Sequence, residues 1–394
     1  MPRPQATHRI ALLFNANKIY DREIIAGIGA YLSSTRVVWD LFLEEDFRAR
    51  LQSIEHWRGD GIIADFDDPD VAAILSKSSL PVVAVGGSYE DASNYPAGMP
   101  YIATDNFKLV KLAYDHLIDV GLTRFAMYSM PESSANRWAQ EREKAFHHLT
   151  GRDKLPSEVY RGFPTSASAW SESLEQLAKW LRAQPKPLGI IAVTDARARH
   201  VLQACLMADI AVPEEVAIIG IDNDPLTRTL TRIPMSSVIQ GTEEMGRVAA
   251  HLLHRLLSNA HLPETRILVP PVGINVLTSS KHAPLGNPYV MRARHFIRQY
   301  AGQGIKTGQV ADYVGISRST LESYFKRELD CTVHDEILRF KLNMAKEHLQ
   351  EGELSISEIA IKCGFTSLQY MYAVFKREIG STPKEYQEQQ RRFG

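Results

Sequence analysis

One pattern is written twice near the end of this chain, and it restricts the fold more than any other feature. Residues 310–329 read VADYVGISRSTLESYFKREL, and residues 359–379 read IAIKCGFTSLQYMYAVFKREI. Gly315 answers Gly364, and Phe325-Lys326-Arg327-Glu328 answers Phe375-Lys376-Arg377-Glu378. Each copy predicts a short apolar helix, a glycine turn and a longer helix opening on Ser or Thr, the sequence form of a helix-turn-helix. The FKRE fragment alone describes any amphipathic helix with solvated charge beside a core-facing phenylalanine. The same turn, cap and core offsets repeated once point instead to a device that reads two stretches of DNA major groove.

Within the first copy Ser317 is placed to cap the second helix. The exposed side near its start then offers Arg318, Ser319, Glu322 and Ser323, with Leu321, Tyr324 and Phe325 turned inward. Thr366 or Ser367 caps the matching helix of the second copy, where Leu368, Gln369 and Tyr372 face out and Met371 and Phe375 face in. Gln369 suits adenine, Glu322 a cytosine amino group and Leu368 a thymine methyl. Lys326, Arg327, Lys376 and Arg377 come later on these helices and suit phosphates. The two units occupy about 309–329 and 358–379, are joined by a long helix over 333–349, and are followed by a short helix over 384–390.

With 394 residues the chain is too long for one ordinary core, so two or three domains are expected. Net charge is −1, but residues 289–394 carry 16 Lys and Arg against 13 Asp and Glu, while the remainder carries 29 against 33. A mildly basic tail on a mildly acidic body permits phosphate contact. The three cysteines, Cys205, Cys331 and Cys363, are odd in number and widely spaced, which fits a reducing, cytoplasmic location and argues against disulfides or a metal site. Cys205 and Cys363 fall in apolar helical patterns and are read as core. No signal peptide and no membrane span are expected. The 13 histidines form no ligand cluster, so no metal and no cofactor are expected.

Short apolar strands and amphipathic helices alternate through the first 278 residues. Strands are expected at 9–16, 38–44, 62–65, 81–85, 101–103, 124–128, 159–161, 190–194, 216–221, 235–238, 267–271 and 273–277. Helices are expected at 21–33, 47–57, 69–76, 106–120, 134–149, 170–182, 196–208 and 242–257, with a turn at 222–225. The fold class is therefore α/β, a two-lobed sensor domain over 1–278 whose chain crosses between lobes more than once. A polar Gly- and Pro-containing linker follows at 279–288, and an all-α double helix-turn-helix domain closes the chain at 289–394, opening on a helix over 289–300.

A ligand in such sheets belongs at the carboxyl ends of the strands. Polar residues directly after strands are Asn15, Asn17, Tyr20 and Asp21, then Asp65, Asp195, Asp222 with Asn223, and Gln240. A small polar ligand there needs paired hydrogen bonds from such groups and a ring face, which Tyr20 or Trp138 can supply. Bland roles stand beside these. Asp195 is placed to cap the helix after it, Asp222 and Asn223 to form a turn before Pro225, and at least one of the acidic run Asp65, Asp67 and Asp68 to be a solvated loop residue. Arg137, Glu141 and Arg142 share a helix with Trp138, so one of them can reach the cleft or all can form surface ion pairs. Neither a Walker A loop nor a GxGxxG after the first strand is present, and no Ser-His-Asp order occurs at plausible loops, so a nucleotide-using or hydrolytic enzyme is not expected.

The C-terminal stretch GFTSLQYMYAVFKREIGSTPKEY resembles the signature of AraC/XylS-type transcription regulators. That resemblance implies adjacent major-groove contacts and activation. TDARARHVLQACLMADIAVPEEVAIIGIDNDP and MSSVIQGTEEMGRVAAHLL resemble the sugar-binding domain of LacI-type repressors and periplasmic sugar-binding proteins, and imply that Asp195, Asp222 and Gln240 meet the sugar. A LacI-like sensor ahead of an AraC-like reader, with HRIALLFNANKIYDREIIAGIGAYL, GDGIIADFDD and YIATDN, resembles regulators of pentose operons. The combination implies D-xylose or a related pentose as effector, double-stranded DNA and RNA polymerase as partners, and a homodimer. Another pentose or a repressor of the same design remains open.

Overall fold

The computed structural model describes residues 7–44, 51, 53–163, 170–259, 262, 265–282, 286–352 and 354–393. The chain divides into two compact units, Met1–His282 and Ala283–Gly394.

The first unit contains two sheets. One carries β1 His8–Leu13, β2 Trp39–Leu43, β3 Gly61–Asp65, β4 Val82–Gly87, β5 Tyr101–Thr104 and β11 Arg266–Val269, in the order β11-β5-β4-β3-β1-β2. The other carries β6 Phe125–Tyr128, β7 Ser157–Tyr160, β8 Leu188–Ala192, β9 Val216–Ile221, β10 Ser236–Ile239 and β12 Gly273–Asn275, in the order β12-β10-β9-β8-β6-β7. All pairings are parallel except β10 with β12. Strands buried on both faces must be apolar throughout, which is why β3, β4, β8 and β9 read as continuous Val, Ile, Leu, Ala and Gly until their last residues. Helices α1 Ile19–Ser34, α2 Pro69–Leu75 and α8 Thr242–Leu257 serve the first sheet. Helices α3 Asn106–Asp119, α4 Arg137–Arg152, α5 Trp170–Ala183 and α6 Asp195–Met207 cover the second. The chain passes between lobes three times, at 104–106, 239–242 and 269–273, so the lobes share a jointed waist.

Two details depart from expectation. The turn at 222–225 runs on into a short helix, α7 Pro225–Leu230, capped by the Asp224 carboxylate accepting the Leu226 N–H at 3.0 Å with proline at its first position. The helix expected at 47–57 falls largely outside the described residues, whose share of it holds one 3-10 turn, Ile54–His56. Residues 283–285 of the expected linker also lie outside them.

The second unit contains α9 Pro288–Tyr300, α10 Thr307–Val314, α11 Arg318–Leu329, α12 Val333–Glu351, α13 Ile356–Lys362, α14 Leu368–Ile379 and α15 Pro383–Phe393. It has two small cores strung on α12. Val333 and Ile337 belong to the first, with Leu321 and Phe325, whereas Leu338, Leu342, Ala345 and Leu349 belong to the second, with Met371 and Phe375. Gly315 (φ +81°) and Gly364 (φ +70°) make the two turns in a conformation that costs a side-chain-bearing residue about 1–2 kcal/mol.

Candidate functional site

The carboxyl ends of both sheets in the first unit meet at a cavity of about 470 Å³, a normal size for a small-molecule site. From the first lobe come Asn17, Lys18 and Tyr20 after β1, Asp65 at the end of β3 with Asp67 and Asp68 after it, and Thr104 at the end of β5. The second lobe contributes Met130, Asn136, Trp138, Arg142, Thr194, Asp222 and Asp224, and the crossing at 239–242 contributes Gln240.

On the first wall Lys18 Nζ donates to Asp65 Oδ2 at 3.4 Å, and Asp65 Oδ1 accepts the Asp67 N–H at 2.9 Å. Asp67 in turn accepts the Gly87 N–H at 3.0 Å and the Tyr89 hydroxyl. Burial pushes the Asp65 carboxyl up to about 8; Asp21 adds to the rise and Lys18 opposes it. For Lys18 itself burial pulls down, but Asp65, Asp21 and Asp67 outweigh it and hold the ammonium above its ordinary value.

On the second wall Arg142 is 3% exposed. Its Nε donates to Asn106 Oδ1 at 2.9 Å, one Nη donates to the Val193 carbonyl, the other lies 3.5 Å from Gln240 Oε1, and the guanidinium sits 4.8 Å from the Trp138 ring centroid. Gln240 ties three pieces together: its Nε2 donates to Asp222 Oδ1 at 2.7 Å and its Oε1 accepts the Thr104 hydroxyl at 3.0 Å. Burial, then Asp195, pushes the Asp222 carboxyl up to about 8, against the pull of Arg142 and Gln240.

Asp222 (φ +128°) and Asn223 (φ +57°) occupy backbone regions that cost about 1–3 kcal/mol each and persist only when their surroundings over-determine them. Here the Asp222 N–H donates to the Val238 carbonyl, the Asn223 N–H to Ser237 Oγ at 2.9 Å and the Asp224 N–H to Asp195 Oδ2 at 2.7 Å. The strained loop aims the Asp222 carboxylate into the cleft.

Of the residues singled out from sequence, Asn17, Tyr20, Asp65, Trp138, Asp222 and Gln240 line this cavity, while Asn15, Asp21, Asp195 and Asn223 stand behind it. Asp21, fully buried, accepts the Asn15 N–H at 2.5 Å, and Asn15 Oδ1 accepts the Asn17 N–H at 3.0 Å, so both shape the loop after β1. Asp195 does not cap α6; Thr194 does, accepting the Arg197 N–H at 3.2 Å. The Asp195 carboxylate instead takes the Ser237 hydroxyl at 2.6 Å and the Asp224 N–H. Asn223 Oδ1 accepts from Asn275 Nδ2 at 3.0 Å. Sequence reasoning passed over Lys18, Thr104 and Thr194, and left Arg142 undecided. Their signal is weak but present: Lys18 and Thr194 lie in post-strand loops, Thr104 is the last residue of β5, and Arg142 is four residues from Trp138.

In the second unit Ser317 and Ser367 cap α11 and α14, accepting the Thr320 and Tyr370 N–H groups at 3.1 Å each. Arg318, Ser319 and Ser323 are exposed near the start of α11, and Ser319 Oγ lies 3.0 Å from Ser317 Oγ. Glu322 is half-buried, and its carboxylate accepts the Val333 N–H at 3.0 Å, which ties α11 to the start of α12. On α14 Gln369 is exposed, Tyr372 is half-buried, and Leu368 packs partly against the second core. The later cations have partners: Lys326 with Asp330 at 2.5 Å, Arg327 over the Tyr324 ring at 5.1 Å, Lys376 with Glu385 at 3.7 Å and Arg377 with Glu378 at 2.6 Å. Exposed pairs of this kind are worth about 0–1 kcal/mol and can be exchanged for phosphate.

Family models match along the chain: an XylR N-terminal domain at residues 9–107, a periplasmic binding protein-like domain at 114–279 and a helix-turn-helix domain at 310–389. The xylose operon regulatory protein of Escherichia coli (strain K12) is 51% identical over 381 residues, covering 97% of both chains. A solved structure of the xylose-binding transcription activator XylR is 48% identical, covers 98% of both chains and has a TM-score of 0.89. A LacI family transcriptional regulator from Mycobacterium smegmatis, 21% identical, shares the fold over 70% of this chain and 100% of its own, with a TM-score of 0.56.

These findings overturn one expectation, membership of the AraC/XylS-type family. The reader matches a model described as a helix-turn-helix domain, and the relatives that align along nearly the whole chain are described as a xylose operon regulatory protein and a xylose-binding transcription activator. The physical reason lies in what the C-terminal motif encodes. A glycine at positive φ, a Ser cap and inward Met and Phe are what a helix-turn-helix needs to make its turn and core, so they specify the local unit rather than the family of the whole chain. Membership is carried by relatives that align from end to end. They are transcription regulators rather than enzymes, and on that evidence of identity and coverage this sugar-responsive, DNA-binding transcription regulator belongs to the family of xylose operon regulatory proteins.

Proposed function

We propose that the effector is a free aldopentose, D-xylose in the first place, and that its binding turns on genes for pentose uptake and catabolism. The observation that carries this reading is the network joining Asp222, Gln240, Arg142 and Thr104 across the waist of the cleft. A pentose presents adjacent hydroxyls that donate and accept at once. Asp222 and Asp65 each offer an acceptor oxygen and, while protonated, an O–H donor, Arg142 and Lys18 offer donors, and Trp138 and Tyr20 offer ring faces for the C–H side of the sugar. The names of the matched relatives, one a xylose operon regulatory protein and one a xylose-binding activator, support both the sugar and the direction of control.

The mechanism follows from the two walls. A sugar bonded to both stabilises the closed sensor over the open one, and only that difference in affinity can drive a switch. The chain acts as a homodimer, and α11 and α14 enter the major groove at paired sites, with Arg318, Ser319, Ser323 and Gln369 toward bases and Lys326, Arg327, Lys376 and Arg377 toward phosphates. Bound near a promoter, the dimer recruits RNA polymerase.

Titration calorimetry of the whole chain against aldopentoses and hexoses tests the site. D-xylose is expected to give saturable heat, and Asp222→Ala is expected to weaken it by about 1.5–3 kcal/mol, roughly 10- to 150-fold in Kd. Binding of a different pentose in preference to D-xylose would reassign the effector, and binding unaffected by Asp222→Ala would displace the site. A promoter reporter decides the direction: output rising with sugar supports activation, and output falling with sugar rejects it.

A further inference from the structure

The two helix-turn-helix cores of the second unit are joined by more than the helix they share. Lys341, midway along α12, is only 9% exposed, and its Nζ donates to the Gly364 carbonyl at 2.6 Å. Gly364 is the turn of the second helix-turn-helix, and the Lys341 ammonium also lies 6.0 Å from the Phe365 ring centroid. Close by, the 3-10 turn Ala301–Gln303 that ends α9 presses on the same turn backbone to backbone. A Cβ on Gly302 would stand 2.8 Å from the Lys362 carbonyl oxygen, and a Cβ on Gly364 would stand 2.4 Å from the Ala301 carbonyl oxygen. Ala301 belongs to the first core, and Cys363 and Phe365 belong to the second.

Two features set these contacts apart. Gly302 is not at positive φ, so backbone freedom does not call for glycine there and close approach does. A buried ammonium is an expensive way to join two elements when an apolar side chain would pack at lower cost. Burial holds the Lys341 amine below its ordinary value, against a smaller opposing pull from Cys363. What Lys341 supplies that an apolar residue cannot is a directional bond to one carbonyl, and so a fixed angle between α12 and the second turn.

We propose that Lys341, Gly302 and Gly364 are positioning residues for DNA reading: they lock α11 and α14 at one separation and twist, and thereby make the protein selective for the spacing between the two sequence elements it binds. This rests on the reading that both helices enter the major groove. One extra base pair moves the second element about 3.4 Å along the duplex and turns it by about a tenth of a revolution. A pair of helices welded through backbone cannot follow that shift, whereas a pair joined only by α12 can bend toward it.

The test begins with selection of randomised duplexes on the full-length wild-type chain, which yields a duplex carrying one pair of elements for each protomer, and every change is made within both pairs. Three probes are then compared: that duplex, the same with one base pair inserted between the elements, and the same with one element scrambled. For the wild type, insertion is expected to reduce affinity to the level of the scrambled probe. In Lys341→Met the affinity for the scrambled probe is expected to stay unchanged while the insertion penalty shrinks about tenfold, and Lys341→Arg, which keeps a donor, restores the penalty. In Gly302→Ala the native duplex is expected to bind about tenfold more weakly, with the scrambled probe again unchanged. An insertion penalty equal in wild type and Lys341→Met would overturn the proposal. So would a parallel loss on all three probes, which is the signature of a role in folding alone. Recovery of duplexes with a single element by the wild type would overturn the two-helix reading itself, and this proposal with it.

Discussion

Asp65 and Asp222 stand on opposite walls of the cleft, and each is a carboxyl with too little water to solvate its charge. Unfolded, such groups titrate near 3.8; folded, they keep their protons to about 8. Between those values the folded state binds more protons than the unfolded one, so stability falls as pH rises through that window and these groups add no further change above it. Asp21, raised to about 6 chiefly by burial, acts in the same sense over the lower part. The sugar-free chain is therefore expected to melt at a higher temperature at pH 6 than at pH 8 in scanning calorimetry, and the double substitution Asp65→Asn with Asp222→Asn is expected to remove most of that slope. A melting temperature that rises toward pH 8 would show the two carboxylates ionised and better partnered than the geometry indicates. These two residues were legible in the sequence because a parallel sheet sends the carboxyl end of every strand to the same side. Arg142 and Lys18 were not, since a charge on a helix or in a loop reads as solvated until another lobe covers it. Asp195 was legible as a polar group at the right place but not in its role, because its partner Ser237 is 42 residues away in sequence.

Helices α1 and α8 cross at two glycines. A Cβ on Gly27 would stand 1.9 Å from the Glu243 carbonyl oxygen, and one on Gly246 would stand 2.0 Å from that of Ile24. On the same α1, Gly29 has nothing within 4 Å of its missing Cβ. Helix propensity favours alanine over glycine by about 1 kcal/mol at all three positions, so packing decides the sign. Gly29→Ala is expected to stabilise the chain by about 0.5–1 kcal/mol. Gly246→Ala is expected to destabilise it by about 1–3 kcal/mol, because a helix backbone must move to admit the new carbon. Urea denaturation of both variants measures this, and equal effects would mean that the crossing is looser than it is drawn. The helices themselves are visible as apolar residues at a 3.6-residue period, but the crossing is not, because two glycines 219 positions apart carry no periodic signal. Helix α7 was missed for a different reason. Its cap Asp224 and its Pro225 are sound start signals, but six residues are too few to display a period.

At the scale of the whole molecule the sensor and the reader are separate compact units, each with its own cores. A sugar that alters DNA binding must then do so through a coupling free energy between sites, and such a coupling is reciprocal. If saturating sugar changes the affinity for the selected duplex by some factor, saturating duplex must change the affinity for sugar by the same factor. Typical couplings of about 1–3 kcal/mol correspond to roughly 5- to 150-fold, well within reach of calorimetry and fluorescence anisotropy. The four measurements are the sugar Kd with and without duplex and the duplex Kd with and without sugar. Equal factors above about fivefold are expected. Sugar and duplex affinities that ignore each other, in a chain whose promoter output still responds to sugar, would move the switch elsewhere. The effector would then leave the DNA contacts as they are and change what the bound protein presents to RNA polymerase. Selection for spacing by α11 and α14 would persist in either case, because Lys341, Gly302 and Gly364 all lie inside the reader.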